Sequence, residues 1–357
     1  MMEKQRFIGL DGLRGVCAIT VMLGHCEMLF RPGVVFCHGY LAVDMFFMLS
    51  GFVISVSYDV RFEKGLGAWR FLVARLRRLA PVYWGGLMLC VLAALVSRTL
   101  SFTAIGWSAA MGVLLIPVFG AGTFAYPVNS VAWTLLWELI VNIAYAGGLR
   151  RFPSRWLAAI SVVLLGGALA FAGANVRRWS FGMTGLDLWL GGLRALPEFL
   201  IGVLLQRAWR AGYFQRLPVV TPLLPLTAWL VVAVVPQDVS ILFDLAVAVL
   251  VCPLLIAVMV RGDDQAPAWF VPLGAISYPL YASHLAWIDL ARHTALFGLD
   301  RHPDPVRALG VVFAGLLASW LLYRTLDPAG RGGTGALVPF VATKPAIGAC
   351  EAQPKTL

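Results

Sequence analysis

Ten stretches of mostly apolar residues punctuate the chain, at about 12–30, 40–58, 80–97, 130–149, 156–174, 188–207, 217–235, 239–260, 273–297 and 304–326. Each is close to the roughly 20 residues that a helix needs to cross a bilayer, where backbone amides find no partner outside the helix itself. The chain has 357 residues, 60% hydrophobic and 13% charged, with mean hydropathy +0.82. Soluble domains carry roughly 25% charged residues. The expected fold class is therefore all-α, a polytopic transmembrane helix bundle of about ten spans plus a re-entrant or interfacial helix. No cleavable leader is expected, because the first apolar run keeps polar residues and no small-residue cleavage site follows it.

An eleventh apolar stretch, about 102–119, is assigned by loop charge. With ten spans and a cytoplasmic N-terminus, Lys4, Arg6, Arg70, Arg75, Arg77, Arg78, Arg150, Arg151, Arg207, Arg210 and Arg261 fall on the cytoplasmic side. The opposite side keeps the smaller set Arg31, Arg98, Arg177, Arg178, Arg292, Arg301 and Arg307. This is the positive-inside bias. A further span at 102–119 would invert everything after it, so that stretch reads as re-entrant or interfacial, its Gly106, Gly112 and Pro117 fitting a broken segment. The same distribution accounts for the net charge of +10 and argues against nucleic-acid binding. Residues 1–327 form the expected membrane domain, and 328–357, rich in Gly, Pro and Ala, a flexible cytoplasmic tail. The six cysteines show no metal-ligand spacing; Cys26 and Cys37 are near enough in sequence to meet, though a buried cysteine usually behaves as a small hydrophobe.

Ionisable side chains inside spans are costly and each is a candidate functional residue. Arg14 and His25 lie eleven residues apart in the first span, close to three whole turns, which puts them on one helix face about 16 Å apart along the axis. Asp11 is three residues before Arg14 and can pair with it. Asp44 lies about five residues into the second span, at the depth of His25, so it can orient that histidine. Arg75 and Arg78 share a face of a basic amphipathic helix, Trp69 to Leu79, that feeds the third span; arginine forks suit phosphate. Glu138 sits mid-span, Glu198 four residues after Arg194, and His284 mid-span beside Tyr281. Each has a plainer reading. Arg14 can set topology by snorkelling, His25 and His284 can be packing histidines, Asp44 can cap a helix, the basic helix can anchor to anionic lipid, and Arg194 can pair with Glu198.

Six blocks resemble the acyltransferase family 3 of integral membrane proteins: Leu10-Asp-Gly-Leu-Arg-Gly15 with the Arg14 to His25 spacing; Asp44-Met-Phe-Phe-Met-Leu-Ser-Gly-Phe52; Arg75-x-x-Arg78 with Pro81 and Tyr83; Trp133 to Glu138; Glu198-Phe-Leu-Ile-Gly202; and Ser277-Tyr-Pro-Leu-Tyr-Ala-Ser-His284. They occur in the family's order from Phe7 to Pro328. Departures are Thr134 for a serine, a bulky Trp137 before Glu138, and Asp327 where a glutamate is common, to which no role is assigned; the esterase-like domain fused to some members is not expected. The resemblance implies transfer of an acyl group, most often acetyl, from cytoplasmic acyl-CoA to a hydroxyl of an extracytoplasmic carbohydrate or glycolipid, in a bacterial inner membrane with both termini cytoplasmic. It implies catalytic candidates His25, Asp44 and Glu138, acyl-CoA-binding candidates Arg14, Arg75 and Arg78, and supporting candidates Asp11, Ser50, Glu198, Tyr281 and His284. Acyl-CoA is a substrate in this reading, with no bound cofactor or metal, and lipid and glycan are the remaining partners. His25 is then a general base or, in a rival scheme, the group that first accepts the acyl. A proton-coupled transporter or flippase would use similar intramembrane residues, but the inverted repeats of such proteins are not evident; a structural or sensory role leaves the in-phase Arg14 and His25 unexplained.

Overall fold

The computed structural model describes residues 6–30, 36, 38–119, 123–175, 179–236, 240–294 and 305–327. Their regular structure is helical: α1 (Ile8–Phe30), α2 (Ala42–Glu63), α3 (Ala68–Ser97), α4 (Phe102–Val113), α5 (Ala132–Gly147), α6 (Ser154–Asn175), α7 (Gly191–Arg210), α8 (Leu223–Ala233), α9 (Ile241–Ala246), α10 (Cys252–Arg261), α11 (Phe270–His293) and α12 (Pro305–Leu326). A π-helical turn, Val247–Val251, joins α9 to α10 without a break. The basic helix and the third span, read separately from the sequence, form one 30-residue helix, α3, which carries Pro81 in its interior. The tail from 328 and residue Cys37 lie outside the described residues; Cys26 is a buried free thiol.

Among the described residues, six helical segments are long and apolar enough to cross a membrane: Gly39–Glu63, Ala68–Ser97, Ser154–Ala174, Leu188–Arg210, Ile241–Arg261 and Leu309–Leu326. This is fewer than the ten read from sequence. The difference has physical causes. α5 and α8 have 16 and 11 residues, and α1 and α11 dilute their apolar character with Asp11, Arg14, His25, His284, Asp289 and Arg292. α4, with 12 residues, spans about 18 Å at 1.5 Å per residue, short of a hydrocarbon core of roughly 30 Å.

Glycines set how closely the central helices approach, as small residues do where helices pack without a hydrophobic drive between them. On α1 and α11, a β-carbon at Gly12 would overlap the Phe270 ring, one at Gly15 would overlap Leu273, and one at Gly274 would overlap Asp11. A β-carbon at Gly86 of α3 would overlap the Ala282 carbonyl of α11. On α2 and α7, Gly51 lies against the Phe199 carbonyl and Gly202 against the Met48 carbonyl. The direction of each pair follows from the residues that meet. Asp11 lies by Gly274 and His25 by His284; Leu79 accepts from Tyr278 and Ser97 bonds Asp289; Asp44 pairs with Arg194 while Met48 meets Gly202. Numbers rise together in all three cases, so α11 runs parallel to both α1 and α3, and α7 runs parallel to α2.

Gly202→Leu is expected to lower the melting temperature of the detergent-solubilised protein, since overpacking of a closed interface costs roughly 1–3 kcal/mol. Gly106→Leu on α4, where a β-carbon has nothing within 4 Å, is expected to leave it unchanged. Thermal unfolding of the two variants side by side checks this.

Candidate functional site

The parallel packing of α1 on α11 brings His25 and His284 together. His25 Nδ1 lies 2.9 Å from His284 Nε2, and the rings are near-parallel, 5.1 Å between centroids. The proton positions follow from the surroundings. His284 Nδ1 faces two backbone carbonyls, Leu280 O at 3.1 Å and Tyr281 O at 3.0 Å. A carbonyl only accepts, so His284 Nδ1 carries the hydrogen and Nε2 carries the lone pair. His25 Nδ1 must then be the donor between the rings, which leaves the lone pair of His25 on Nε2. His284 is fully buried, whereas His25 keeps accessible surface. Beside them, the Tyr281 hydroxyl bonds the Thr134 hydroxyl at 3.0 Å; Thr134 is the conservative replacement noted in the sequence.

Asp44 does not orient His25. Its carboxylate is buried against α7, where Arg194 donates to both oxygens at 3.2 and 2.8 Å and Trp179 Nε1 donates at 3.1 Å. The side chain points to another helix. Trp179 links this pair to a second buried carboxylate, since its backbone N–H donates to Asp244 at 3.1 Å and Tyr40 donates to the same oxygen at 2.7 Å. Nor does Arg194 pair with Glu198. Glu198 is buried beside them, with neither oxygen in hydrogen-bond geometry to a described residue.

The other expected residues gather at the far end of α1. Arg75 pairs with Glu138 at 2.5 Å, and Ser50 donates to the same oxygen at 3.2 Å. Arg14 lies in electrostatic range of Glu138, Arg75, Asp11 and Asp327, and Arg78 of Arg75, Arg14 and Asp327. The three arginines therefore form one cluster, with Glu138 among them rather than near His25. Asp11 meets Arg6 at 2.6 Å. Asp327, assigned no role from the sequence, belongs to this cluster. Tyr278 stands on α11 between the two groups; its hydroxyl donates to Leu79 O at 2.9 Å, and it lies within range of Glu138 and Arg75. Tyr278, Tyr281 and His284 recur every three residues along α11, covering about the last 9 Å of the helix axis up to the histidines. Tyr278 and Tyr281 were visible in one motif; nothing in the sequence pointed to Trp179, which lies in a connection.

The family described as an acyltransferase domain matches residues 7–324. A protein described as "Protein 2 in picA locus" of Rhizobium radiobacter is 33% identical over 193 residues, covering 47% of this chain and 97% of that protein. The exopolysaccharide production protein ExoZ of Rhizobium meliloti (strain 1021) is 24% identical over 307 residues, covering 83% of this chain and 91% of that protein. No solved structure matches the chain.

Arg194→Met is expected to destabilise the protein by about 3–5 kcal/mol, because it leaves a buried carboxylate without its partner. Asp44→Asn combined with Arg194→Met should recover much of that loss. Denaturation of the two single variants and the double variant checks this, and additive losses would show the pair is not coupled.

Proposed function

The chain belongs to the acyltransferase family and is a membrane-bound O-acyltransferase, and on that premise we propose that it transfers an acetyl group from cytoplasmic acetyl-CoA to a hydroxyl of an extracytoplasmic polysaccharide, with His25 as general base. The observation that carries this is the His25–His284 hydrogen bond, which leaves a lone pair on the accessible His25.

The donor enters at the arginine cluster. Arg14, Arg75 and Arg78 bind its phosphates, since guanidinium forks match phosphate oxygens. Glu138 and Asp327 hold the cluster in place and limit its net charge when empty. The pantetheine arm follows the tyrosine-lined side of α11 towards the histidines. The distance of about 16 Å along α1 between Arg14 and His25 is of the same order as the extended arm. At the far end His25 Nε2 takes the proton of the acceptor hydroxyl, whose oxygen attacks the thioester carbonyl. The C–S bond breaks, the ester forms, and the proton passes from His25 to the departing CoA thiolate. His284 acts through His25: its Nε2 accepts from Nδ1 throughout, which fixes the tautomer and stabilises the imidazolium. Asp44 contributes by fastening α2 to α7. The name of the ExoZ relative, an exopolysaccharide production protein, supports a polysaccharide acceptor.

The same reading places both termini in the cytoplasm of a bacterium, with ten crossings formed by α1, α2, α3, α5, α6, α7, α8, α9 with α10, α11 and α12. Helix direction supports the count. α1, α3 and α11 become the first, third and ninth crossings, and α2 and α7 the second and sixth, so all three parallel pairs have matching parity. A crossing at α4 would turn α7 against α2.

In membranes supplied with acetyl-CoA and acceptor polysaccharide, His25→Ala is expected to lower transfer by roughly 10²–10⁴-fold. His284→Ala should lose about 10²-fold through misplacement of the base, and His284→Gln, which keeps an acceptor for Nδ1, should recover part of it. Near-normal transfer by His25→Ala would overturn the assignment, and an acetyl-histidine trapped without acceptor would replace direct attack by a covalent route. Arg78→Ala should raise the KM for acetyl-CoA about tenfold or more, the weight of one charged hydrogen bond to phosphate.

A further inference from the structure

The polar groups beyond His284 on α11 line a cavity of about 560 Å³, inside the roughly 300–1,000 Å³ usual for ligand sites. Its walls come from the end of α3, the segment before α5 and the last turns of α11. Leu285 and Ala286, next to His284 in the chain, contribute apolar lining, and Arg98, Asp289, Arg292 and His293 polar lining. We propose that this cavity is the acceptor subsite and that it takes a saccharide bearing an anionic group, held by Arg292 and Arg98. The proposal rests on the acyltransfer reading above.

The charge balance points this way. Asp289 is already engaged, accepting from Ser97 at 2.6 Å and lying 3.1 Å from His293 Nδ1. Among the described residues neither Arg98 nor Arg292 forms a close ion pair; Arg292 has Asp289 within electrostatic range, yet one of its terminal nitrogens is buried without a hydrogen-bond partner. A buried guanidinium nitrogen without an acceptor is costly, and a ligand anion would supply one. Arg98 caps α3 in the left-handed conformation, φ 53°, which L side chains rarely adopt and which glycine fills most readily. Arg292 is also in electrostatic range of His25, so the cavity's cationic side faces the same end of the bundle as the base. An exposed phenylalanine, Phe124, gives the cavity an apolar wall, against which the apolar face of a sugar ring can pack.

The purified full-length protein in nanodiscs should bind tetragalacturonate at least about tenfold more tightly than its methyl ester, the same sugars without charge. Arg292→Gln and the exposed-site variant Arg98→Gln should each remove most of that preference. Equal affinity for the two sugars, or a preference that survives both substitutions, would overturn the proposal. So would its loss whenever phosphatidylglycerol is added to the nanodisc, which would identify a lipid headgroup as the occupant. Acetyl transfer to neutral sugars without charge-selective binding overturns the anionic subsite and leaves the acyltransfer reading standing; charge-selective binding with no transfer from acetyl-CoA to any sugar does the reverse.

Discussion

The close approach of α11 to α1 and α3 is the constraint on which the site depends. Gly12, Gly15 and Gly274 remove the side-chain layer between α1 and α11, and Gly86 does the same between α3 and α11. In hydrocarbon there is little apolar drive to press helices together, so close backbone packing supplies the attraction. The consequence for chemistry is geometric. With the helices spaced by ordinary side chains, the imidazoles of His25 and His284 would stand too far apart for a 2.9 Å hydrogen bond. The same parallel registry places Tyr278 between the arginine cluster and the histidines and carries Asp289 to Ser97 at the end of α3.

A second, independent clamp joins α2 to α7. Gly51 and Gly202 bring the backbones together, and Asp44 with Arg194 closes the interface about two turns away. A buried ion pair gives little net stability against an apolar pair of the same volume, because both charges are taken from water. Its value here is specificity: a sliding of α2 on α7 by one residue would strand both charges. Trp179 and Asp244 extend the restraint to the α9 side of the bundle.

The helical class and the position of the helices were legible because apolar runs of membrane length have few other outcomes. The arginine cluster was legible for a similar reason: Arg75 and Arg78 share a helix face, and Arg14 stands at the matching end of α1. The partner of His25 was not. Depth in the bilayer can be read from position within a span, but the direction a side chain takes around its helix depends on which neighbour packs there. One signal was available. Gly51 follows Asp44 by seven residues, two turns on the same face, and Gly202 follows Arg194 by eight, so each charge shares a stripe with a small residue suited to close packing. That stripe faces α7 rather than α1. The place of Asp327 in the cluster was hidden for a different reason, since it depends on α12 returning beside α3, a contact between distant parts of the chain.

The exchange of a carboxylate for a neutral imidazole as partner of His25 changes the electrostatics of the base. An aspartate beside His25 would place a full negative charge against the ring and raise its basicity. With its Nδ1–H committed to the Leu280 and Tyr281 carbonyls and its Nε2 accepting from His25, His284 acts as a neutral imidazole. Its Nε2 still accepts from His25 Nδ1, so it orients the ring and strengthens its bond when His25 becomes cationic, without drawing a proton to it beforehand. The carboxylates of Asp44 and Glu138 are meanwhile held to Arg194 and Arg75. Those two carboxylates thus stand paired with arginines and apart from the base, and the charge that forms on His25 does so beside a partner already aligned to receive it.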